Sequence, residues 1–251
     1  MLNVIEHGGP TDKPGLLIAH GLYGSGRNWG VIAKRLADER KVVAVDMRNH
    51  GHSPWFDTHT YRDLAADLAE VIDHFDGPFD LLGHSMGGKA AMTLALTQPD
   101  LVNRLIVADI APVAYGHSQA KYIDAMKAVD LSGIERRSDA QELLAPHVDD
   151  PALVPFFLQS LDVKNREWLL NLDTLGAEMD SIMTFPDLSG TYEGETLFLT
   201  GAESDYVTHD HRDTIKTLFP KARFAKIPGA GHWVHAEKPR EFEAAVRTWL
   251  G

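Results

Sequence analysis

Ser85 lies in the pentapeptide Gly83-His84-Ser85-Met86-Gly87, which matches the pattern G-x-S-x-G. An apolar stretch typical of a strand, FDLLGHS (79–85), leads into it, and a helical pattern, MGGKAAMTLALTQ (86–98), follows. This context is the one in which a tight, strained turn presents a serine hydroxyl at the edge of a sheet. The helix that begins there adds a dipole that favours developing negative charge. The pattern predicts Ser85 as the nucleophile of an acyl-transfer reaction.

A serine nucleophile needs a base, and thirteen histidines compete for that role. His232 follows the last predicted strand in GAGHWVHAEKP (229–239), where glycines let the loop fold over the sheet edge. It is the predicted base, with His235 as a rival, whereas the side chain of His84 should point away from the serine. Two histidine pairs with alternating spacing, His50 with His52 and His209 with His211, lack an evident third ligand, so no metal site is expected.

The oxyanion formed by serine attack needs two backbone N–H donors. The residue after the nucleophile, Met86, supplies one of them in sites of this kind. HGLYGSG (20–26) follows the first core strand, and its turn should direct the N–H of Leu22 toward the same point. HGGP (7–10) precedes that strand and is interpreted as a hairpin turn. We therefore predict an oxyanion hole built from Leu22 and Met86.

The base also needs a carboxylate, which in this chain order lies between the serine and the histidine. In serine enzymes with this chain order, the acid usually follows a late strand with the spacing G-x-x-D-x-x-V. The corresponding stretch here, GAESDYV (201–207), has Ser204 at the position of the acid. Asp205 fits only if the loop shifts by one residue, which reverses the side faced by an extended residue. Asp109 ends the strand after that of Ser85, and neighbouring strand ends lie about 5 Å apart. Both Asp109 and Asp205 are therefore candidates.

Composition limits the classes of function that the chain can serve. It has 251 residues, 44% of them hydrophobic, and a net charge of −12, which disfavours binding to nucleic acid or anionic lipid. It contains no cysteine, so disulfides and thiol nucleophiles are excluded, and a cytoplasmic location is expected. No apolar run approaches the ~18 residues that would span a bilayer, so no integral membrane segment is expected.

Short apolar strands alternate with amphipathic helical segments, a pattern that predicts an α/β fold with a mostly parallel sheet. One helix is predicted over 60–75, with Thr60 and Asp63 resembling a capping box. The strand rhythm stops within 112–186, where several helical segments predict a cap. The core is expected to comprise 1–111 and 187–251. Aromatic and apolar residues are predicted to line a substrate pocket between core and cap: Tyr23, Trp29, Phe156, Phe157, Met179, Tyr206 and Trp233.

The motifs HGLYGSGRNW, DMRNHGHSP, GHSMGGKAAM, DIAPV and GAGHWVHAEKP together resemble the α/β-hydrolase superfamily, and more narrowly the YbfF-type small bacterial esterases. The resemblance spans about 16–110 and 195–250. It implies an eight-stranded, mostly parallel sheet with a helical cap inserted between strands 6 and 7. It also implies activity without a cofactor, and it favours Asp109, the aspartate of DIAP, over Asp205 as the acid.

The predicted function is a serine hydrolase that cleaves carboxylic esters or acyl thioesters through an acyl-enzyme intermediate. Its expected partner is a small-molecule acyl ester or thioester. Two alternatives stay open at this point. One is a carbon–carbon bond hydrolase or lyase that uses the same triad, and the other is a non-catalytic ligand-binding protein on the same fold.

Overall fold

A computed structural model describes residues 1–251 of the chain. The strands are β1 (Val4–His7), β2 (Leu16–Ala19), β3 (Val42–Val45), β4 (Phe79–His84), β5 (Val102–Ala108), β6 (Leu161–Asp162), β7 (Glu167–Trp168), β8 (Glu195–Gly201) and β9 (Ala222–Ile227). The helices are α1 (Gly30–Leu36), α2 (Tyr61–His74), α3 (Met86–Thr97), α4 (Ala120–Lys127), α5 (Arg137–Leu144), α6 (Leu153–Leu158), α7 (Leu172–Ala177), α8 (Met179–Met183), α9 (Arg212–Leu218), α10 (Val234–Glu237) and α11 (Pro239–Leu250). None of these helices has both the length and the apolar character that crossing a bilayer requires.

Seven strands form the central sheet in the order β1-β3-β2-β4-β5-β8-β9. All neighbours are parallel except β1, which runs antiparallel to β3 at the edge. The sheet therefore has seven strands where the resemblance implied eight, because the chain forms a single strand, β1, before β2. HGGP (7–10) is not a hairpin turn, because the two strands that it connects, β1 and β2, are not neighbours in the sheet. β1 pairs with β3 instead.

The inner strands β2, β3 and β4 are buried on both faces, and alternate residues face opposite layers. Leu17 belongs to the larger apolar core, which is shared with α2, α3 and α9, and Ile18 belongs to the smaller one. The helices α1, α10 and α11 cover the smaller core. Both layers exclude water from these strands, and β2 and β3 accordingly consist entirely of apolar residues.

The helical insertion lies between β5 and β8, the fifth and sixth strands of the sheet, and not between a sixth and a seventh strand. It contains α4 to α8 together with a short antiparallel hairpin, β6–β7, that the sequence did not predict. Asn171 Nδ2 donates to Asn49 Oδ1 at 3.1 Å, and Ser160 Oγ donates to Tyr23 O at 3.0 Å. These polar contacts fasten the insertion over the carboxyl ends of the strands.

Candidate active site

Ser85 follows β4 in a left-handed turn, with φ 52° and ψ −118°. Its backbone N–H donates to Ala108 O at 3.0 Å, so the sheet pairing continues into the turn. A Cβ on Gly83 would lie 2.2 Å from Gly87 O, and one on Gly87 would lie 2.3 Å from Ala19 O. Only glycine fits at either position, which is the steric reason for the pattern around the serine.

Asp109 occupies the equivalent position on the neighbouring strand. The register pairs His84 with Ala108, so Ser85 and Asp109 are the next residues on β4 and β5. Asp109 also has a left-handed backbone, with φ 51°, and is fully buried. Its Oδ1 accepts from the N–H of Gly201 at 3.0 Å. The parallel sheet therefore carries a hydroxyl and a carboxylate to one edge.

His232 lies between these two side chains. Its Nδ1 is 2.8 Å from Asp109 Oδ2, and its Nε2 is 3.1 Å from Ser85 Oγ. A carboxylate oxygen can only accept, so Nδ1 carries the proton and Nε2 is free to accept the serine proton. This is the tautomer that a general base requires.

Asp205, the alternative acid, is exposed to solvent and makes no hydrogen bond to His232. Ser204 points inward instead, and its hydroxyl donates to Asp109 Oδ2 at 2.5 Å. The loop after β8 thus supplies a hydrogen bond to the carboxylate and not a carboxylate of its own.

The other two nearby histidines do not contact the serine hydroxyl. His84 Nε2 is 3.0 Å from the carbonyl oxygen of His232, so it donates and fixes that backbone. His235 stacks on Trp29 with ring centroids 4.1 Å apart, and its Nδ1 is buried without a partner. Burial lowers the pKa of His84 well below its ordinary value and that of His235 to about 3, so both stay neutral.

Leu22 and Met86, whose backbone N–H groups are the predicted oxyanion donors, line the same cavity as Ser85. Neither donates a hydrogen bond within the protein. Met86 begins α3, and the first N–H groups of a helix have no partner in their own helix. Two free N–H donors beside the serine can donate hydrogen bonds to a developing oxyanion.

Two buried histidines hold the loop that carries Leu22. Because a carbonyl only accepts, Nδ1 of His20 donates to Gly21 O at 2.8 Å, while its Nε2 accepts from Met47 N. His50 Nε2 accepts from Tyr23 N at 3.1 Å, and its Nδ1 donates to Arg48 O. Sequence reasoning missed both roles, since neither histidine is next to the serine in the chain.

Both ring nitrogens of His50 are therefore occupied by backbone groups, which leaves none for a metal ion. His211, from the second histidine pair, accepts at Nδ1 from the N–H of Thr208. No group of three or more histidine, cysteine, aspartate or glutamate side chains is arranged to hold a metal.

A cavity of about 290 Å³ opens above Ser85, and 15 of its 26 lining residues are hydrophobic. Six of the seven predicted pocket residues line it: Tyr23, Trp29, Phe156, Phe157, Tyr206 and Trp233. Met179 does not, because it is buried in packing at the start of α8. Met183, one helical turn further on, lines the cavity in its place.

Lys89 is a buried lysine in the cavity lining that sequence reasoning also missed. It follows Ser85 by one turn of α3, a spacing that could have indicated a shared face. Its Nζ donates to Met183 O at 3.1 Å and to Thr184 O at 2.5 Å, at the end of the helical insertion. Burial lowers the pKa of Lys89 to about 7. The Nζ group of Lys89 thus ties the insertion to the helix of the serine.

Comparison with known proteins places this arrangement in a family. Residues 16–245 match the family described as "Alpha/beta hydrolase family". The chain belongs to this family. The match spans the loop of Leu22, both strand ends that carry Ser85 and Asp109, and the loop of His232.

Individual members of the α/β-hydrolase family are similar over nearly the whole chain. The mouse (Mus musculus) sn-1-specific diacylglycerol lipase ABHD11 is 42% identical, and the match covers 96% of this chain and 82% of that protein. The esterase YbfF of Escherichia coli is 35% identical over 94% of this chain and 92% of its own. A solved structure described as a marine microorganism esterase superposes with a TM-score of 0.93 at 37% identity, covering 98% of each chain.

Proposed function

We propose that the protein is a serine hydrolase that cleaves carboxylic esters through an acyl-enzyme intermediate on Ser85. One observation carries the proposal: His232 bridges the Ser85 hydroxyl and the Asp109 carboxylate at 3.1 and 2.8 Å, beneath an apolar cavity. The esterase and lipase names of similar family members support the same class of reaction. The intact arrangement disfavours a non-catalytic binding protein, and no observation favours cleavage of a carbon–carbon bond.

In the first half of the reaction, Ser85 Oγ attacks the ester carbonyl while His232 Nε2 takes its proton. The carbonyl oxygen becomes negative and is held by the N–H groups of Leu22 and Met86. Asp109 stabilises the imidazolium through the hydrogen bond to Nδ1. When the carbon–oxygen bond to the alcohol breaks, His232 protonates the departing alcohol and Ser85 keeps the acyl group.

In the second half, water attacks the acyl carbonyl while His232 again acts as the base. The bond to Ser85 breaks, the serine recovers its proton from the imidazolium, and the free acid leaves. Acyl thioesters react by the same steps with a thiol as leaving group, and they remain part of the proposal as predicted from the sequence.

We assign residues 112–186 to a cap and the rest of the chain, 1–111 and 187–251, to the hydrolase core. The insertion supplies Phe156, Phe157 and Met183 to the cavity wall, which supports a role in enclosing the substrate. A cytoplasmic location, independence of a cofactor and the absence of a nucleic-acid partner stay predictions from the sequence.

The test combines labelling with turnover. Purified protein is expected to hydrolyse p-nitrophenyl esters and to be labelled by a fluorophosphonate probe. Ser85→Ala should lose both, with turnover falling by a factor of the order of 10⁶. Ser138→Ala, which changes an exposed serine, is the matched control and should retain both. Wild-type turnover in Ser85→Ala would contradict the proposal.

A further inference from the structure

The phenol ring of Tyr206 lies face to face with the imidazole of His232. Their centroids are 3.9 Å apart and the rings are inclined by 19°. The other rings near this imidazole are less parallel and more distant: His84 at 4.9 Å and 39°, and Trp233 at 5.5 Å and 71°. Tyr206 therefore presents its π face to the histidine, whereas the others present edges or tilted faces.

Tyr206 makes hydrogen bonds at both ends, and the one at its backbone holds the stack in place. Its carbonyl oxygen accepts from the hydroxyl of Tyr115 at 2.7 Å. Its own hydroxyl is 3.0 Å from Nε2 of His117, at the start of the helical insertion. Burial raises the pKa of Tyr206 to about 12, so the ring stays a neutral phenol wherever a histidine titrates.

We infer that Tyr206 is a positioning residue that stabilises the imidazolium form of His232 during acyl transfer. The negative face of an aromatic ring attracts a cation placed over it, and the attraction is strongest where water is excluded. Asp109 contacts the imidazolium at its edge and Tyr206 at its face, so the two stabilise the same charge from different directions. This inference rests on the proposed function, because it assumes that His232 takes the serine proton.

The remaining titratable groups around His232 do not supply the same effect. Asp109 is the one carboxylate hydrogen-bonded to it, and Asp205 faces solvent. His84 and His235 lie behind it, and burial keeps the pKa of both low, so they add no charge near neutral pH. A change in the pKa of His232 upon removal of the Tyr206 ring thus reports on the stack itself.

The loop after β8 gains an explanation from this stack. Asp205 of this loop does not contact the base, but two of its neighbours serve the triad. Ser204 donates to the acid, and Tyr206 stacks on the base. The loop after β8 therefore lies beside His232, but it contributes a hydroxyl and an aromatic ring and not a carboxylate.

The experiment compares Tyr206→Leu, which removes the ring, with Tyr206→Phe, which keeps the ring and removes only the hydroxyl. NMR titration of the imidazole C–H signals gives the pKa of His232 directly, the resonance being assigned by its loss in His232→Asn. Removing a stacked ring disfavours the cation, so Tyr206→Leu should lower this pKa by about one unit and kcat by about 5- to 30-fold. The acidic limb of the kcat profile should move to lower pH, while Tyr206→Phe leaves the His232 pKa unchanged.

Phe156→Leu is the matched control, since Phe156 lines the same cavity and packs on Trp233 and Phe157 but not on His232. It should leave the pKa of His232 unchanged. Tyr206→Gln serves as a second ringless variant if Tyr206→Leu does not fold. An unchanged His232 pKa in a folded ringless variant overturns the inference, whatever its turnover. Because the titration needs no substrate, it still tests the stack if Ser85→Ala disproves the proposed function.

Discussion

The hydroxyl of Ser204 donates to Oδ2 of Asp109 at 2.5 Å, and the same oxygen accepts the Nδ1 proton of His232 at 2.8 Å. The residue at the position where the acid was expected is thus one hydrogen bond away from the carboxylate that contacts the base. Two positions on neighbouring loops, 109 and 204, converge on one point beside the imidazole.

This convergence predicts that the carboxylate of the triad can be moved from position 109 to position 204. Asp109→Asn should lose most activity, and adding Ser204→Asp should restore part of it, by about 10-fold or more. The new carboxylate would lie within reach of Nδ1, and the asparagine no longer repels it. Turnover of p-nitrophenyl butyrate measures the recovery. The uncharged pair Asp109→Asn with Ser204→Asn is the control, and equal activity in the two double variants would contradict the prediction.

The two candidate acids should respond very differently to loss of charge. Asp109→Asn is expected to lower kcat by about 10⁴, because the amide favours the wrong tautomer of the base. Asparagine tolerates the left-handed backbone of this position, so the fold should persist. Asp205→Asn, at an exposed position, should keep nearly full activity. Steady-state kinetics with matched melting curves decides, and the opposite ranking would return the role to Asp205.

His50 is expected to support the oxyanion loop. In His50→Phe the buried N–H of Tyr23 loses its acceptor, which should cost about 1–3 kcal/mol of unfolding free energy. The neighbouring Leu22 N–H would then be held less rigidly, so kcat should fall more than KM changes. Denaturant unfolding and steady-state kinetics measure the two effects. The exposed His52→Asn is the control, and equal effects in both variants would argue against the assignment.

Stability should fall steeply in acid because several histidines are buried neutral. Burial lowers the pKa of five of them in the folded state: His20, His50, His59, His84 and His235. The unfolded chain takes up these protons near pH 6.5, so the stability present above that pH is lost as the pH falls. Each such histidine contributes a slope of about 1.4 kcal/mol per pH unit.

The slope can be tested at one position. His235→Phe keeps the packing on Trp29 and removes one titrating group. Between pH 6 and 4.5, the slope of its unfolding free energy against pH should therefore be smaller than that of the wild type by about 1.4 kcal/mol per pH unit. Exposed His74→Phe should leave the slope as it is. Urea titrations at several pH values provide the measurement. If the unfolding free energy of His235→Phe depended on pH as steeply as that of the wild type, His235 would not contribute to the loss of stability in acid.

Cavity size predicts a preference for short acyl chains. At about 290 Å³ the cavity lies at the small end of typical ligand pockets. We expect kcat/KM to be higher for p-nitrophenyl butyrate than for the palmitate ester. Phe157→Ala removes a buried ring from the wall and enlarges the cavity, so it should reduce the difference in kcat/KM between the two esters. A preference for palmitate in the wild type would mean that the cap opens to admit a longer chain.

Much of the site could be predicted because local patterns and strand order determine it. The glycines around Ser85 are dictated by sterics, and strands β4 and β5 are neighbours, as the argument for Asp109 required. The capping box of Thr60 and Asp63 was also confirmed, since both of its hydrogen bonds form within one turn of chain. In each case the interacting groups are close in sequence or follow equivalent strand ends.

What could not be predicted depends on contacts between distant segments. Tyr206 stacks on a histidine 26 positions later, and Lys89 reaches the carbonyls of Met183 and Thr184. The hairpin β6–β7 has two residues in each strand, too few to show an alternating pattern. Met179 is a predicted pocket residue, but the two methionines share one face of α8, and it is Met183, one turn further along the helix axis, that reaches the cavity.

The backbone pairing of the sheet extends one residue beyond β4 and β5, from Ser85 N to Ala108 O and from Asp109 N to Leu199 O. For a refolding chain, hydroxyl and carboxylate therefore come together in the same event that aligns β4, β5 and β8. Turnover cannot return before this alignment. A slip of one residue between β4 and β5 would keep the strands hydrogen-bonded and yet leave the chain inactive.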